Sequence, residues 1–383
     1  MFERLEELSK KHGNAYDWKQ DYYVNYDFGP FCKLTNDEFI EALEIRDKLD
    51  AQLTPKSFLG FEVNSTIGVP AGPLLNGRWV LHYAELGFDM PIYKTVRTKY
   101  LKCHSFPQVV LVNVPKQLSE KDFEQTFVGK LEGNTQPENV SITNSFGMPS
   151  KEPSVWMRDV QRVESKLGEK QLNMVSVYGT PSTEEAGVEE LAMDFAKGAN
   201  LAYQAGAKIV ELNFSCPNIK GKGGSLYANA QAAGEICRIV RQEVGNKKFL
   251  IKLGYFHDNA VLEESINAIT VHADGVSAIN TISVKVVDEA GKEALPGRIT
   301  SGICGNAIRE GALRVVKAIA EIRKKSGKEF ALVGVGGITL PEHALQFYEA
   351  GADAVQSATG AMFDPLLALK IKRLLVEKSK KQS

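Results

Sequence analysis

The chain has 383 residues, of which 43% are apolar and 24% charged, and its formal net charge is −1. That composition is that of an ordinary soluble globule, long enough for one large barrel or for two domains. There is no long basic run outside the C-terminal tail and no uninterrupted apolar window approaching about eighteen residues, so nucleic acid, an acidic membrane surface and a membrane span are excluded as partners, and a small neutral or anionic metabolite is expected.

Residues 1–11 are amphipathic and rich in acids, without the apolar core of a secretory signal. Residues 1–60 are expected to form an N-terminal extension, helical or irregular, that packs on the domain made by residues 61–383. From about Thr66 onward, short β-branched runs alternate with amphipathic segments, the pattern of parallel strands joined by crossover helices. Eight runs begin near Ile67, Ile92, Leu172, Lys208, Phe249, Gly275, Ala331 and Ala354. Helices are expected over 78–86, 154–167, 183–204, 229–244, 260–271, 306–324, 341–350 and 365–378. The third is opened by Ser182-Thr183-Glu184-Glu185 and followed by Gly206. Eight β/α units in order spell an α/β fold of the TIM (β/α)8 barrel type, with long loop insertions at the C-terminal face. An open doubly wound sheet would need GxGxxG after its first strand, whereas this chain has Val69-Pro70-Ala71-Gly72-Pro73. Two stretches break the alternation. Residues 97–150 are expected to make an excursion over the catalytic face, and residues 283–304 a further long loop.

The strand ends collect Ala71 and Gly72, Lys94 and Thr95, Ser176, Asn213 with Cys216 and Asn218, Lys252, Asn280 and Thr281, Gly336 and Gly337, and Ser357 to Gly360. Lys94 and Lys252 sit inside apolar strands. An ammonium there either snorkels to water or meets an anionic ligand, and two at the reactive face favour the ligand. Small-residue loops follow the last two strands, Val333-Gly334-Val335-Gly336-Gly337 and Gln356-Ser357-Ala358-Thr359-Gly360. Barrels bind phosphate at such loops. Residues 141–150 are either a polar turn or part of the site. With Asn144, Asn213, Asn218 and Asn280 the chain offers four carboxamides, a set suited to a planar ring of alternating imide N–H and C=O groups.

Five cysteines, at 32, 103, 216, 237 and 304, form no CxxC pair, which argues against a disulfide framework, a zinc ribbon or an iron–sulfur cluster and for a cytoplasmic location. The six histidines show no HxH or HExxH spacing, so no metal is expected. Cys216, between two amides in Asn213-Phe214-Ser215-Cys216-Pro217-Asn218, is the strongest acid/base candidate.

Glu-Leu-Asn-Phe-Ser-Cys-Pro-Asn (211–218), Asn-Ser-Phe-Gly-Met-Pro (144–149), Ile-Lys-Leu (251–253), Ile-Asn-Thr (279–281) and Val-Gly-Gly-Ile (335–338) together resemble the dihydroorotate dehydrogenase family over about residues 62–375. Cysteine rather than serine at 216 resembles its soluble class 1 branch. The resemblance implies an FMN-dependent barrel that oxidises dihydroorotate to orotate in pyrimidine synthesis. Cys216 would be the base, while Lys94, Asn144, Gly147, Met148, Asn213, Asn218, Asn280 and Thr281 would bind substrate. The cofactor would be held by Ala71, Gly72, Lys94, Thr95, Ser176, Lys252, Gly302, Gly336, Gly337, Ser357, Ala358 and Thr359. Residues 219–224 would be a lid. The family is compatible with a homodimer and with a separate electron-transfer subunit, and the motifs do not identify the electron acceptor. Residues 1–60, the stretch between Lys94 and Asn144, and Ser357-Ala358-Thr359 in place of Gly-Thr-Ala depart from compact class 1 members. The loop Ser301 to Arg309 also resembles dihydropyrimidine dehydrogenase, which makes uracil or thymine reduction the second enzymatic reading. A flavin-binding barrel without turnover is the third.

Overall fold

The computed structural model describes residues 2–181, 183, 187–215 and 226–382. Cys216, Asn218 and the expected lid 219–224 lie outside the described residues, as do Ser182 and Glu184–Ala186 of the expected third helix start.

Helices Phe2–His12, Tyr22–Phe28 and Asn36–Asp50 open the chain. Strands follow in order: β1 (Lys56–Phe58), β2 (Phe61–Val63), β3 (Ile67–Gly68), β4 (Ile92–Val96), β5 (Val109–Val112), β6 (Thr126–Lys130), β7 (Ser141–Asn144), β8 (Met174–Val177), β9 (Ile209–Asn213), β10 (Lys248–Lys252), β11 (Gly275–Ala278), β12 (Ile282–Val287), β13 (Thr300–Gly305), β14 (Ala331–Val335) and β15 (Ala354–Gln356). Eight of these pair in parallel in the order β3-β15-β14-β11-β10-β9-β8-β4. Met90 N donates to Ile67 O at 3.1 Å and Ile92 N to Val69 O at 2.9 Å, which closes the ring. These are the eight runs read from the sequence, each within two residues of its expected start. The third barrel helix is shorter than expected, Val188–Gln204 with Gly187 as its N-cap. Its end is where the sequence puts it, at Gly206 with φ +102°.

Strand alternation places Ile92, Met174, Ile209, Leu250, Val333 and Ala354 in one apolar cluster inside the barrel, capped by Phe58 and Val63 of the β1–β2 hairpin. The extension is held laterally by the C-terminal helix Leu367–Gln382. Lys372, fully buried, pairs with Asp50 at 2.6 Å and Asp89 at 2.8 Å. Lys370 pairs with Glu6 and Asp364, each at 2.8 Å.

The two irregular stretches are not separate loops. Strands β5, β6 and β7 from residues 97–150 join β12 and β13 from the expected loop 283–304 in a second, five-stranded closed barrel, ordered β12-β13-β7-β5-β6. Asn144 pairs with Gly302 and Cys304 with Ile142. Pairing across so much intervening chain leaves no local trace in the sequence.

Candidate functional site

Two residues beyond the apolar cluster, on the same inward faces, stand Lys94, Ser176, Glu211, Lys252, Val335 and Gln356, all buried. Barrel interiors are normally filled by branched apolar side chains. A layer with two cations, a carboxylate and a carboxamide therefore costs several kcal/mol of desolvation unless something compensates it, about 1–3 kcal/mol for each unpaired neutral group.

Lys94 is 6% exposed and, among the described residues, its ammonium has no hydrogen bond or ion pair. Its ammonium lies 4.8 Å from the Phe146 ring and 5.2 Å from the Tyr22 ring, and burial pushes it down to about 8. A bulge in β4 sets both Lys94 and Thr95 opposite Ser176, between the Tyr93–Val175 and Val96–Val177 pairs. Thr95 donates to Ser176 Oγ at 3.1 Å. Lys252 is equally buried, and its ammonium is likewise without a hydrogen-bond or ion-pair partner among the described residues. Burial lowers its pKa, and the Glu211 carboxylate opposes that shift. Glu211 accepts from Ser277 Oγ at 2.6 Å, across the strand that carries Lys252.

Above this floor the amides gather. Asn213 Oδ1 accepts from Ser215 N at 3.1 Å and from Ser215 Oγ at 2.5 Å, and its Nδ2 faces Met148 Sδ at 3.5 Å. Asn280 Nδ2 donates to Ser215 Oγ at 2.5 Å. Asn144 Nδ2 lies 3.6 Å from Cys304 Sγ, whose pKa burial pushes up to about 11. Gly147 and Met148 both have left-handed backbone, φ +74° and +50°. A Cβ at Gly147 would stand 2.4 Å from His104 Nε2, so only glycine fits. Arg97 secures this turn by donating to Met148 O at 3.0 Å, to Gly147 O at 3.4 Å and to Thr180 Oγ1 at 2.7 Å, with its guanidinium 4.6 Å from the Tyr178 ring.

The two terminal loops meet. Ser357 Oγ donates to Ile338 O at 2.6 Å and accepts from Ala361 N at 3.1 Å, which commits that hydroxyl to joining the loops. Gly336 and Gly337, at φ +127° and +76°, lie against the helix Arg309–Ser326, where a Cβ on Gly337 would stand 2.6 Å from Arg309 Cβ. Ala358 and Thr359 begin the short helix Thr359–Phe363. Gly302 sits with the substrate set: it pairs with Asn144, and a Cβ there would stand 1.9 Å from Thr281 Oγ1. Ala71, half-buried, touches the apolar plug, and Gly72 has open space beside it.

Tyr22, Arg97, Glu211 and Gln356 were missed in the sequence. Glu211 and Gln356 carry the signal that exposed the lysines, a polar residue inside an apolar strand. Tyr22 and Arg97 act through distant contacts and carry none.

The closed parallel barrel thus carries, at the carboxyl ends of its strands, two buried ammonium groups with no hydrogen-bond or ion-pair partner among the described residues, an arrangement suited to an anionic ligand. The profile of the dihydroorotate dehydrogenase family matches residues 127–378. A dihydroorotate dehydrogenase of Dictyostelium discoideum is 38% identical over 347 residues, covering 88% of this chain and 93% of that protein. The catalytic subunit of a dihydroorotate dehydrogenase B (NAD(+)) from Citrifermentans bemidjiense is 34% identical over 200 residues, 52% of this chain and 60% of that one. The corresponding subunit of Bacteroides thetaiotaomicron is 28% identical over 251 residues, 64% and 77% respectively. The chain belongs to the dihydroorotate dehydrogenase family.

Proposed function

We propose that the chain oxidises dihydroorotate to orotate, a step of pyrimidine biosynthesis, with FMN as its cofactor. Lys94 and Lys252, buried at the floor of the mouth and with ammonium groups unpaired among the described residues, carry the reading, because the substrate carboxylate and a flavin ring that becomes anionic on reduction would compensate them. The residues fit such a group: two cations, the close-packed Gly336–Gly337 turn and an orphaned Gln356 carboxamide surround one end of the barrel. When bound, FMN supplies the hydride acceptor.

The protein's own part is positioning and proton transfer. Asn144, Gly147, Met148, Asn213, Asn218, Asn280 and Thr281 bind and orient the pyrimidine, with Arg97 fixing the Gly147–Met148 turn. Lys94 lies at the junction of substrate and cofactor. Ala71, Gly72, Thr95, Ser176 and Lys252 line the cofactor's ring and chain, and Gly302, Gly336, Gly337, Ser357, Ala358 and Thr359 its phosphate end. Lys252 presents positive charge, favoured electrostatically by the Glu211 carboxylate of the same layer, where negative charge would gather on reduction. Cys216, next in sequence to the hydrogen-bonded Ser215, removes the C5 proton of the substrate.

The test is anaerobic mixing of the FMN-loaded protein with dihydroorotate, followed by flavin absorbance at about 450 nm. Wild type bleaches rapidly, and Cys216→Ala bleaches roughly 10²–10⁴-fold more slowly. Equal rates remove the thiol from this role, and turnover with uracil but not dihydroorotate replaces the substrate.

A further inference from the structure

Gln356 is 1% exposed, and among the described residues neither its Nε2 nor its Oε1 has a hydrogen-bond partner. It ends β15, two residues above Ala354 of the apolar plug, so its side chain enters the same interior layer as Lys94, Glu211 and Lys252. Gly68 is its partner in β3 and Val335 its partner in β14, and neither side chain can hydrogen-bond it. The other inward polar groups of the layer are engaged elsewhere or are cations: Glu211 is bonded to Ser277, Ser176 to Thr95, and Lys94 faces Phe146 and Tyr22. A carboxamide that offers a donor and an acceptor in one buried plane, with both unmet, is matched by a ligand bearing groups that do both.

We infer that Gln356 is a flavin-binding residue, its carboxamide hydrogen-bonding hydroxyls of the ribityl chain. This rests on the FMN reading above. On that reading the phosphate lies at the loops Gly336–Ile338 and Ser357–Gly360 and the ring lies over Lys252, and Gln356 belongs to the lysine layer while adjoining Ser357 of the phosphate loop in sequence. The ribityl chain is what joins phosphate to ring, and each of its hydroxyls both donates and accepts. Gln356 thus supplies affinity and register for the chain, while the lysines supply charge.

The experiment compares wild type, Gln356→Leu and Gln356→Asn in two measurements: the dissociation constant for FMN, by quenching of flavin fluorescence, and the thermal midpoint of the flavin-free protein. Leucine keeps the volume and removes both unmet groups, so the flavin-free protein is expected to be as stable as wild type or more so, while FMN binds roughly tenfold or more weakly. Asparagine retains the amide one methylene short and is expected to fall between. Unchanged FMN affinity in Gln356→Leu overturns the inference. So does weaker binding matched by a lower midpoint of the flavin-free protein, since the side chain would then be serving the fold. Should Gln356→Leu fail to fold, Gln356→Asn decides alone, and wild-type affinity in it overturns the inference. Failure of wild type itself to bind FMN overturns the cofactor reading instead, so the two failures are distinct.

Discussion

At the residue scale, the floor of the mouth is defined by what it costs. Lys94, pushed by burial to about 8, has a folded pKa below its ordinary value near 10.5. A group whose folded pKa is depressed in this way binds fewer protons folded than unfolded between the two values, so stability rises with pH across that window and the penalty is complete below it. Lys94→Met is therefore expected to raise the thermal midpoint of the flavin-free protein at pH 7. The gain should shrink as pH climbs from about 8 to about 10.5. The same variant should bind anionic ligand more weakly. A midpoint difference that is flat over that pH range would show that the ammonium is compensated within the protein. The tension between a stability that improves and a function that fails marks a residue placed for its ligand and not for the fold.

At the scale of elements, the extension is fastened by charge as well as by apolar contact. Lys372 bridges Asp50, at the end of the helix Asn36–Asp50, to Asp89, ahead of β4, and Asp89 also accepts from Ser65 Oγ at 2.5 Å and Gln171 Nε2 at 3.2 Å. Lys372→Met leaves two buried carboxylates facing each other and is expected to lower the unfolding free energy by about 3–5 kcal/mol in denaturant titration. Asp50→Asn, which leaves the Lys372–Asp89 pair intact, should cost clearly less. Equal losses would mean that the lysine is held by Asp50 alone. The eight barrel strands were legible because each is a short apolar run whose partners follow in chain order. The small barrel was not, because Thr143 finds Ile303 and Val110 as partners across unequal stretches of chain. One part of it was within reach: in β12 Ile282, Val284 and Val286 are buried while Ser283 and Lys285 are exposed, and that alternation is present in the sequence. The site followed the same division. Lys94 and Lys252 stood out as charges in apolar runs. Arg97 and Tyr22 meet their partners only after the chain has folded.

At the scale of the whole molecule, residues 1–60 do more than close the lower end of the barrel. Tyr22 brings the extension to the Lys94 ammonium, so its docking and the site are linked. Among the described residues, no helix is long and apolar enough to cross a membrane. A histidine pair lies on the same seam. His12 Nδ1 is 3.0 Å from Gly13 O, which can only accept, so the ring proton is on Nδ1. His82 Nε2–H then donates to His12 Nε2 at 3.0 Å. Burial lowers both pKa values, His82 to about 3. Stability from the neutral pair is complete above about pH 6.5 and falls as pH drops toward 3, where the unfolded chain takes up the protons first. Replacing both with phenylalanine is expected to flatten the acid limb of thermal midpoint against pH between about 6 and 4. An unchanged limb would assign acid sensitivity to other groups.

The five-stranded cylinder has its own consequence. Its staves come from the chain segments on either side of the entrance, one following β4 and the other following β11, and they are laced together by main-chain bonds such as those between Gly302 and Asn144. The aperture is thereby framed by a single stiff collar and not by two independent jaws. A substitution that shifts β6 on one rim should be felt at Thr281 on the other, and selectivity for ligands of different girth becomes a property of the collar as a unit.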